Sequence, residues 1–455
     1  MEKIASFKAY DIRGKVPAEL NEELAYNFGR GLTKHLSCMP DGKVGATAVI
    51  GHDVRISSQP LSDALARGFT DSGVNVIDIG LCGTEMIYFA TSFLGTEAGV
   101  MITASHNPPE YNGMKVVKKD SVPVGYDSGL QEVEQIILQK DFLPLAEIKG
   151  TVTKQDITKE FIANLDKFFD VKKLKPMKVV VNAGNGCVGP ILNILEPNLP
   201  CEMIKLFNEP DPTFPNGVPN PMLEGNRKPT IDAIISNKAD LGVAWDGDYD
   251  RCFFFDEFGN FIEGYYIVGL LAKSILKKFP GENIIHDPRL VWNTIEVVAK
   301  ANGNAVQSKS GHAFIKQKMR EVNAIYGGEM SAHHYFRENA YSDSGIIPFL
   351  LVMQLMSEEG KSLSQLTGEM MKNYPCSGEI NSTTADPAEK IKEIEAAYPG
   401  GKRETVDGIS VEYDEWRFNL RMSNTEPIIR LNVETRGDEK LMKEKTGELL
   451  QLIRK

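Results

Sequence analysis

TAVIGHDVR (47–55) carries the decision about the fold: an apolar, β-branched run breaks into polar residues, the mark of a buried strand that ends in a loop. Downstream, Leu61, Leu65 and Phe69 recur at the spacing of one helix face, and NVIDIGLCGT (75–84) reads as a second extended segment. A third, GVMITASHNP (99–108), ends in polar, chemically capable residues. The succession returns in KVVVNAGNG (178–186), in Ile191, Leu192 and Leu195, in CEMIKLFNEPD (201–211) and in DLGVAWDGDYDR (240–251). It returns again in ENIIHDPR (282–289), in Thr294, Val297 and Val298, in NAVQSKSGH (304–312) and in AIYGGEMSAHH (324–334). Alternating strands and helices predict mixed or parallel sheets, whose ligands sit outside the carboxyl ends of strands, so three such ends are expected at one cleft. The likeness among the three units is one of topology and not of residues.

The C-terminal part reads differently. GISVEYDEW (408–416), RFNLRMS (417–423) and PIIRLNVETR (427–436) look like consecutive strands, followed by a helix from about Asp438 to Ile453. The polar segment around 382–408 reads as a connection rather than core. The expected fold class is therefore α/β, with three topologically similar mixed α/β domains (1–150, 151–252 and 253–370) and a C-terminal α+β domain (371–455).

Composition excludes several function classes. The 455 residues are ordinary in their 42% apolar and 25% charged content, which argues for a compact, soluble protein. Lys and Arg number 51 against 62 Asp and Glu, a net charge of −11, so the average field repels nucleic acid and anionic membranes. Six cysteines without CxxC spacing suit neither a disulfide scaffold nor a zinc site, and a reducing cytoplasm is the simplest home. MEKIASFKAYDIRG lacks a signal-peptide core, and no apolar run is long enough to span a membrane.

Four constellations carry chemistry. Asp246, Asp248 and Asp250 alternate in AWDGDYDR, and on an extended chain that period points all three carboxylates one way, a crowding that calls for Mg²⁺ or Ca²⁺. With Glu257 they match positions 1, 3, 5 and 12 of a calcium loop, but Arg251 stands where such a loop needs Gly. Ser105, before His106 and Asn107, is a candidate nucleophile at a strand end, and a divalent cation beside a serine suits phosphoryl transfer. Arg421, Ser423, Asn424, Thr425 and Arg430 combine guanidinium groups with small donors, as phosphate recognition requires. Glu329, Ser331 and His333 share period-two facing and could meet sugar hydroxyls, while His333 and His334 could equally be structural histidines. His312, Tyr10 and Arg13 are weaker singly.

KAYDIRG (8–14), TASHNP with YNGMK (103–115), DGDYDR (246–251), GEMSAHH (328–334) and RMSNTEP (421–427) occur in one order over essentially the whole chain. In these motifs the sequence resembles the α-D-phosphohexomutase family, specifically its bacterial phosphomannomutase/phosphoglucomutase group. The resemblance implies four domains around a central cleft and reversible interconversion of mannose 1-phosphate and mannose 6-phosphate, with glucose phosphates as further substrates. It implies that Ser105 bears a phosphoryl group and joins Asp246, Asp248 and Asp250 in holding Mg²⁺, and that a hexose 1,6-bisphosphate is the activator and intermediate. Glu329, Ser331 and His333 would hold the sugar, and Arg421, Ser423, Asn424 and Thr425 the non-reacting phosphate. Arg251 would contact substrate near the metal; Tyr10, Arg13, Lys115 and His312 would line the cleft, with Lys115 and His312, and His106 behind them, as proton-transfer candidates. Two departures stand out: Arg289, a further substrate-binding candidate, stands where many relatives carry Lys, and Ala332 where Gly is common. Phosphoglucomutase and phosphoglucosamine mutase are the near alternatives, GEMS speaking for the mannose group. A noncatalytic sugar-phosphate-binding protein and a Mg²⁺-dependent phosphatase are the distant ones.

Overall fold

The computed structural model describes residues 3–37, 46–422 and 428–455, so Ser423, Asn424 and Thr425 lie outside the described residues. The chain forms two compact units, one of residues 1–261 with 336–359 and one of 262–335 with 360–455.

The first unit holds two sheets. In the first, Thr47–His52 pairs in parallel with Asn75–Leu81 on one side and with Ala98–Ile102 on the other, and Tyr111–Lys118 runs antiparallel to Ala98–Ile102. In the second, Met177–Asn182 lies in parallel between Cys201–Leu206 and Leu241–Trp245, with Cys252–Phe255 antiparallel beyond. The second unit repeats the order, with Asn283–His286 in parallel between Asn304–Gln307 and Tyr326–Gly328, and His334–Phe336 next. In all three sheets the second strand of the repeat lies on one side of the first and the third on the other. That divergence creates the crevice at the carboxyl end of the first strand where ligands bind in such sheets. The helices between strands bury the predicted faces: Leu61, Leu65, Phe69, Ile191, Leu192 and Leu195 are almost fully enclosed, as are Thr294 and Val298. Val297 is half-buried.

The last sheet is wholly antiparallel, in the order Ile380–Thr383, Ile428–Thr435, Trp416–Met422, Ile409–Glu412 and Lys402–Glu404. Its core of Ile409, Val411, Phe418, Leu420, Ile429, Leu431 and Val433 packs with Met442, Leu449 and Ile453. The closing helix, Glu439–Ile453, starts where Asp438 accepts the Leu441 amide at 2.8 Å. The expected connection around 382–408 is corrected: it contains the helix Pro387–Ala397 and the edge strand Lys402–Glu404. Its helix is short and mostly solvated, so its composition is polar. Ile394 alone is fully enclosed, with Ile391 packed behind, while Asp386 caps the start by accepting the Glu389 amide and Pro387 fixes the first turn.

Among the described residues no helix is long and apolar enough to cross a membrane.

Candidate active site

In the first unit, the fully buried strand Ala98–Ile102 delivers the chain to a tight loop. Thr103 Oγ1 accepts the Ser105 amide at 2.8 Å, and Ala104 O accepts the Asn107 amide at 2.9 Å. Ser105 takes a left-handed conformation, φ +50. This turn puts Ser105 Oγ 3.0 Å from His106 Nδ1, although neighbours on an extended chain would point apart.

Opposite lies the loop after Leu241–Trp245. The three aspartates do converge, each offering an oxygen within 4.8 Å of the others, all of them buried. The reason differs from the one expected. Beyond Trp245 the chain is not a pleated strand but a turn, closed by the Tyr249 amide on Asp246 O at 3.2 Å with Tyr249 at φ +43. Gly247 permits the approach of the two loops, because a Cβ there would stand 2.6 Å from Ser105 O.

Cations answer the crowded carboxylates. Lys115, on the strand opposite Met101, donates to Asp248 at 2.7 Å and to Asp250 at 2.5 Å. Arg251 reaches Asp246 Oδ2 through Nε at 2.8 Å and through Nη2 at 2.6 Å, and Nη2 also meets Ser105 Oγ at 3.1 Å and His106 Nδ1. Ser105 Oγ itself donates to Asp246 Oδ2 at 2.7 Å. Burial pushes Asp246 up to about 6, Asp250 and Asp248 adding to the effect against Arg251. Burial works against the Lys115 ammonium, but Asp248 and Asp250 more than reverse it, and its pKa is raised. Burial, then Arg251 and Arg13, lower His106 well below the ordinary imidazole value, which keeps the ring neutral. Asp248 Oδ1 is buried without a hydrogen-bond partner. Three hard carboxylates, one with an unanswered oxygen, fit a Mg²⁺-type ion. Arg13 ties the amino-terminal strand to the Ser105 loop through Asn107 Oδ1 at 2.5 Å and Ala104 O at 3.1 Å, and pairs with its neighbour Asp11 at 2.5 Å. Tyr10 precedes that strand and is half-buried. Thr84, passed over in the sequence, donates to Asp248 Oδ2 at 2.5 Å, and nothing but its place after Gly83 could have singled it out.

In the second unit, Glu329, Ser331 and His333 do come together, again on a turn rather than a strand. The Glu329 amide bonds His333 O and the Ala332 amide bonds Glu329 O, both at 3.0 Å. Ala332 sits at φ +69, the left-handed region that explains why glycine suits this position. Glu329 accepts from Tyr335 OH at 2.6 Å and from the Gly311 amide at 2.9 Å, with His333 Nδ1 at 3.3 Å. Burial opposes its charge, yet His333 and Arg289 hold it well below the usual carboxylate range. His312 follows Gly311 as the first residue of the helix His312–Glu321, not the end of a strand, which stops at Gln307. His334 is the structural histidine of the pair, fully buried against Tyr326 OH at 2.7 Å and pushed down to about 3 by burial.

Arg421 and Arg430 face each other directly across two antiparallel strands, a destabilising pairing of like charges. Glu379, also missed in the sequence, resolves it. It takes Arg421 at 2.8 Å, Arg289 at 3.4 Å and Arg430 at 3.5 Å. Arg289 is buried on Asp287 at 2.7 Å and also meets Ser331 Oγ at 3.3 Å.

Comparison with known proteins converges on one family. Phosphoglucomutase/phosphomannomutase alpha/beta/alpha domains I, II and III match residues 5–144, 159–259 and 263–374, and the C-terminal domain of that family matches 379–449. A relative from Xanthomonas campestris pv. campestris named phosphohexose mutases is 51% identical over 453 residues, 99% of each chain. A phosphomannomutase of Escherichia coli strain K12 is 50% identical over 464 residues, the whole of both chains. Among solved structures, a phosphoglucomutase/phosphomannomutase family protein from Burkholderia thailandensis superposes with a TM-score of 0.87 at 29% identity, covering 100% of this chain and 98% of that one.

Proposed function

The chain belongs to the phosphoglucomutase/phosphomannomutase family, and we propose that it is a phosphomannomutase whose Ser105 carries the phosphoryl group between the 1- and 6-positions of a hexose. The observation that carries the assignment is Ser105 Oγ, set 2.7 Å from Asp246 and 3.1 Å from Arg251.

From the phosphorylated enzyme, the P–O bond to Ser105 Oγ breaks as a free sugar hydroxyl bonds phosphorus and gives up its proton, leaving a hexose 1,6-bisphosphate. In the return half, Ser105 Oγ takes the other phosphate and the sugar oxygen regains a proton, so the net change is isomerisation. Arg251 steadies charge at the transferring group, the proton that the sugar hydroxyl gives up is balanced by the one Ser105 Oγ gains, and neutral His106, 3.0 Å from Ser105 Oγ, orients that oxygen. Lys115 and His312 are the proposed partners of the sugar hydroxyl's proton. Asp246, Asp248 and Asp250 would hold Mg²⁺, which supplies positive charge to offset that of the phosphate. Glu329, Ser331 and His333 are assigned to sugar hydroxyls, and Arg421, with Ser423, Asn424 and Thr425, to the distal phosphate. Mannose as the sugar rests on full-length relatives named phosphomannomutase.

The test is ³¹P NMR of the protein with Mg²⁺, a trace of hexose 1,6-bisphosphate, and mannose 1-phosphate or glucose 1-phosphate in separate tubes. Conversion to the 6-phosphate, faster for mannose, is expected. Release of inorganic phosphate alone refutes the mutase. Ser105→Ala loses at least about 10⁴-fold in turnover, as when a covalent nucleophile is removed, while calorimetry shows hexose phosphate still bound; an undiminished rate removes Ser105 from the mechanism.

A further inference from the structure

The first strands of two repeats end in the same four-residue pattern, His52-Asp53-Val54-Arg55 and His286-Asp287-Pro288-Arg289. The two turns match contact for contact, save that Asp53 meets the guanidinium at Nε and Asp287 at Nη2. The imidazole Nδ1 lies 2.9 Å from the next carbonyl in each. The aspartate Oδ1 accepts the arginine's own amide at 3.0 and 2.9 Å. Its Oδ2 faces an amide of the loop after the third strand, Ala104 at 3.4 Å and Met330 at 2.8 Å, and pairs with the guanidinium at 3.2 and 2.7 Å. The arginines then part. Arg289 turns to side chains at long range, Ser331 at 3.3 Å and Glu329 and Glu379 at 3.4 Å.

Arg55 turns to the main chain. Its Nη1 donates to Pro108 O at 2.7 Å and Tyr111 O at 3.0 Å, and its Nη2 to Asn107 O at 2.6 Å and Ser105 O at 3.0 Å. Its Nε stands 3.2 Å from Asp53 Oδ2, and the side chain is fully buried. With both Nη groups so engaged and Nε buried beside Asp53, it offers no open donor to a substrate.

We propose that Arg55 is the positioning residue of the phosphoryl-carrying serine: one guanidinium gathers four carbonyls of 105–111 and thereby holds the left-handed turn from which Ser105 presents Oγ. Four converging carbonyl dipoles repel one another, and the guanidinium that meets them is itself buried. A flat group with five donors answers them; an ammonium, whose three donors leave one point, does not. The inference rests on the role proposed for Ser105.

The experiment compares the parent protein with Arg55→Lys and Arg55→Met by hydrogen exchange over 103–112 and by kcat and KM on hexose phosphate. Both variants are expected to lose amide protection at Ser105 and Asn107. Both should lose about 100-fold in kcat, the usual cost of misplacing a reacting atom by about 1 Å, with KM within about threefold of the parent. Asp53→Asn, which leaves the guanidinium but removes its counter-charge, gives the same pattern at smaller amplitude and serves if the arginine variants do not fold. Full activity in Arg55→Lys, a rise in KM matching the fall in kcat, or unchanged protection overturns the proposal. Should the parent lack mutase turnover while the variants still lose loop protection, the role of Ser105 falls and the positioning of its loop stands.

Discussion

Replacing Glu379 by Gln tests whether a single carboxylate holds the three-arginine cluster together. The carboxyl is held down to about 2: burial opposes its charge, but Arg421, Arg289 and Arg430 together prevail. Its side chain is 5% exposed, so solvent screens these interactions little. A carboxylate with its folded pKa depressed from 4.5 stabilises the fold above the unfolded value and loses that contribution as pH falls toward the folded one. Taking about 1.4 kcal/mol for each pH unit between 4.5 and 2, the contribution is about 3 kcal/mol at pH 7, smaller at pH 4 and about 1 at pH 3. The figure at neutral pH agrees with the loss of about 3–5 kcal/mol when a buried pair is broken from one side. Glu379→Gln keeps the shape and removes the charge, so the gap between parent and variant should be widest at neutral pH and close as pH falls. Urea unfolding at pH 7, 4 and 3, followed by tryptophan fluorescence to which Trp416 of the same antiparallel sheet contributes, measures it. A gap below about 1 kcal/mol at pH 7, the size of a solvated pair, or one that stays constant to pH 3, refutes the reasoning.

Two further outcomes bear on the metal and on the C-terminal domain. Asp248→Asn weakens Mg²⁺ binding by at least about 10-fold, the loss seen when even outer partners of metal ligands are removed, and calorimetric titration with Mg²⁺ reads it directly; chelation of divalent ions should stop turnover of the parent, and Mg²⁺ should restore it. Asp386→Ala lowers stability by about 1 kcal/mol because the Glu389 amide loses its cap, which the urea midpoint at neutral pH reports, and an unchanged midpoint would mean that helix 387–397 contributes nothing to the domain.

The sequence shows the α/β repeat plainly because buried parallel strands announce themselves as β-branched runs, and Thr47–His52, Met177–Asn182 and Asn283–His286 are such runs. Helix 387–397 was illegible for the converse reason: a helix that encloses little more than Ile394 has almost no apolar stripe to read. Among the chemical residues, Asp246, Asp248 and Asp250 were found through a correct outcome of a wrong geometry. Alternation implies convergence on an extended chain, whereas here the convergence comes from a turn with Tyr249 in the left-handed region. Glu329, Ser331 and His333 repeat the lesson, with Ala332 as the residue that turns the chain. In both loops the residue types carried the information and the spacing did not.

What stayed hidden is the set of groups that act on the chain itself. A reading for chemistry looks for side chains able to meet a ligand, and it found Ser105 on that ground, while Arg251 and Lys115 entered only through the family resemblance. Glu379 could have been sought as the counter-charge that Arg421 and Arg430 require once their strands are paired, but the pairing register is a tertiary fact. Arg55 leaves still less trace, because its partners are the carbonyls of Ser105, Asn107, Pro108 and Tyr111, and every residue has a carbonyl. Its one legible sign is the recurrence of His-Asp-x-Arg at 52–55 and 286–289, which shows that the likeness between the first and third repeats reaches individual residues after all. The same turn fixes an arginine at the same place in both. What differs is the loop each arginine meets: one presents carbonyls and makes the guanidinium part of the scaffold, while the other presents the side chains of Glu329 and Ser331, at 3.4 and 3.3 Å.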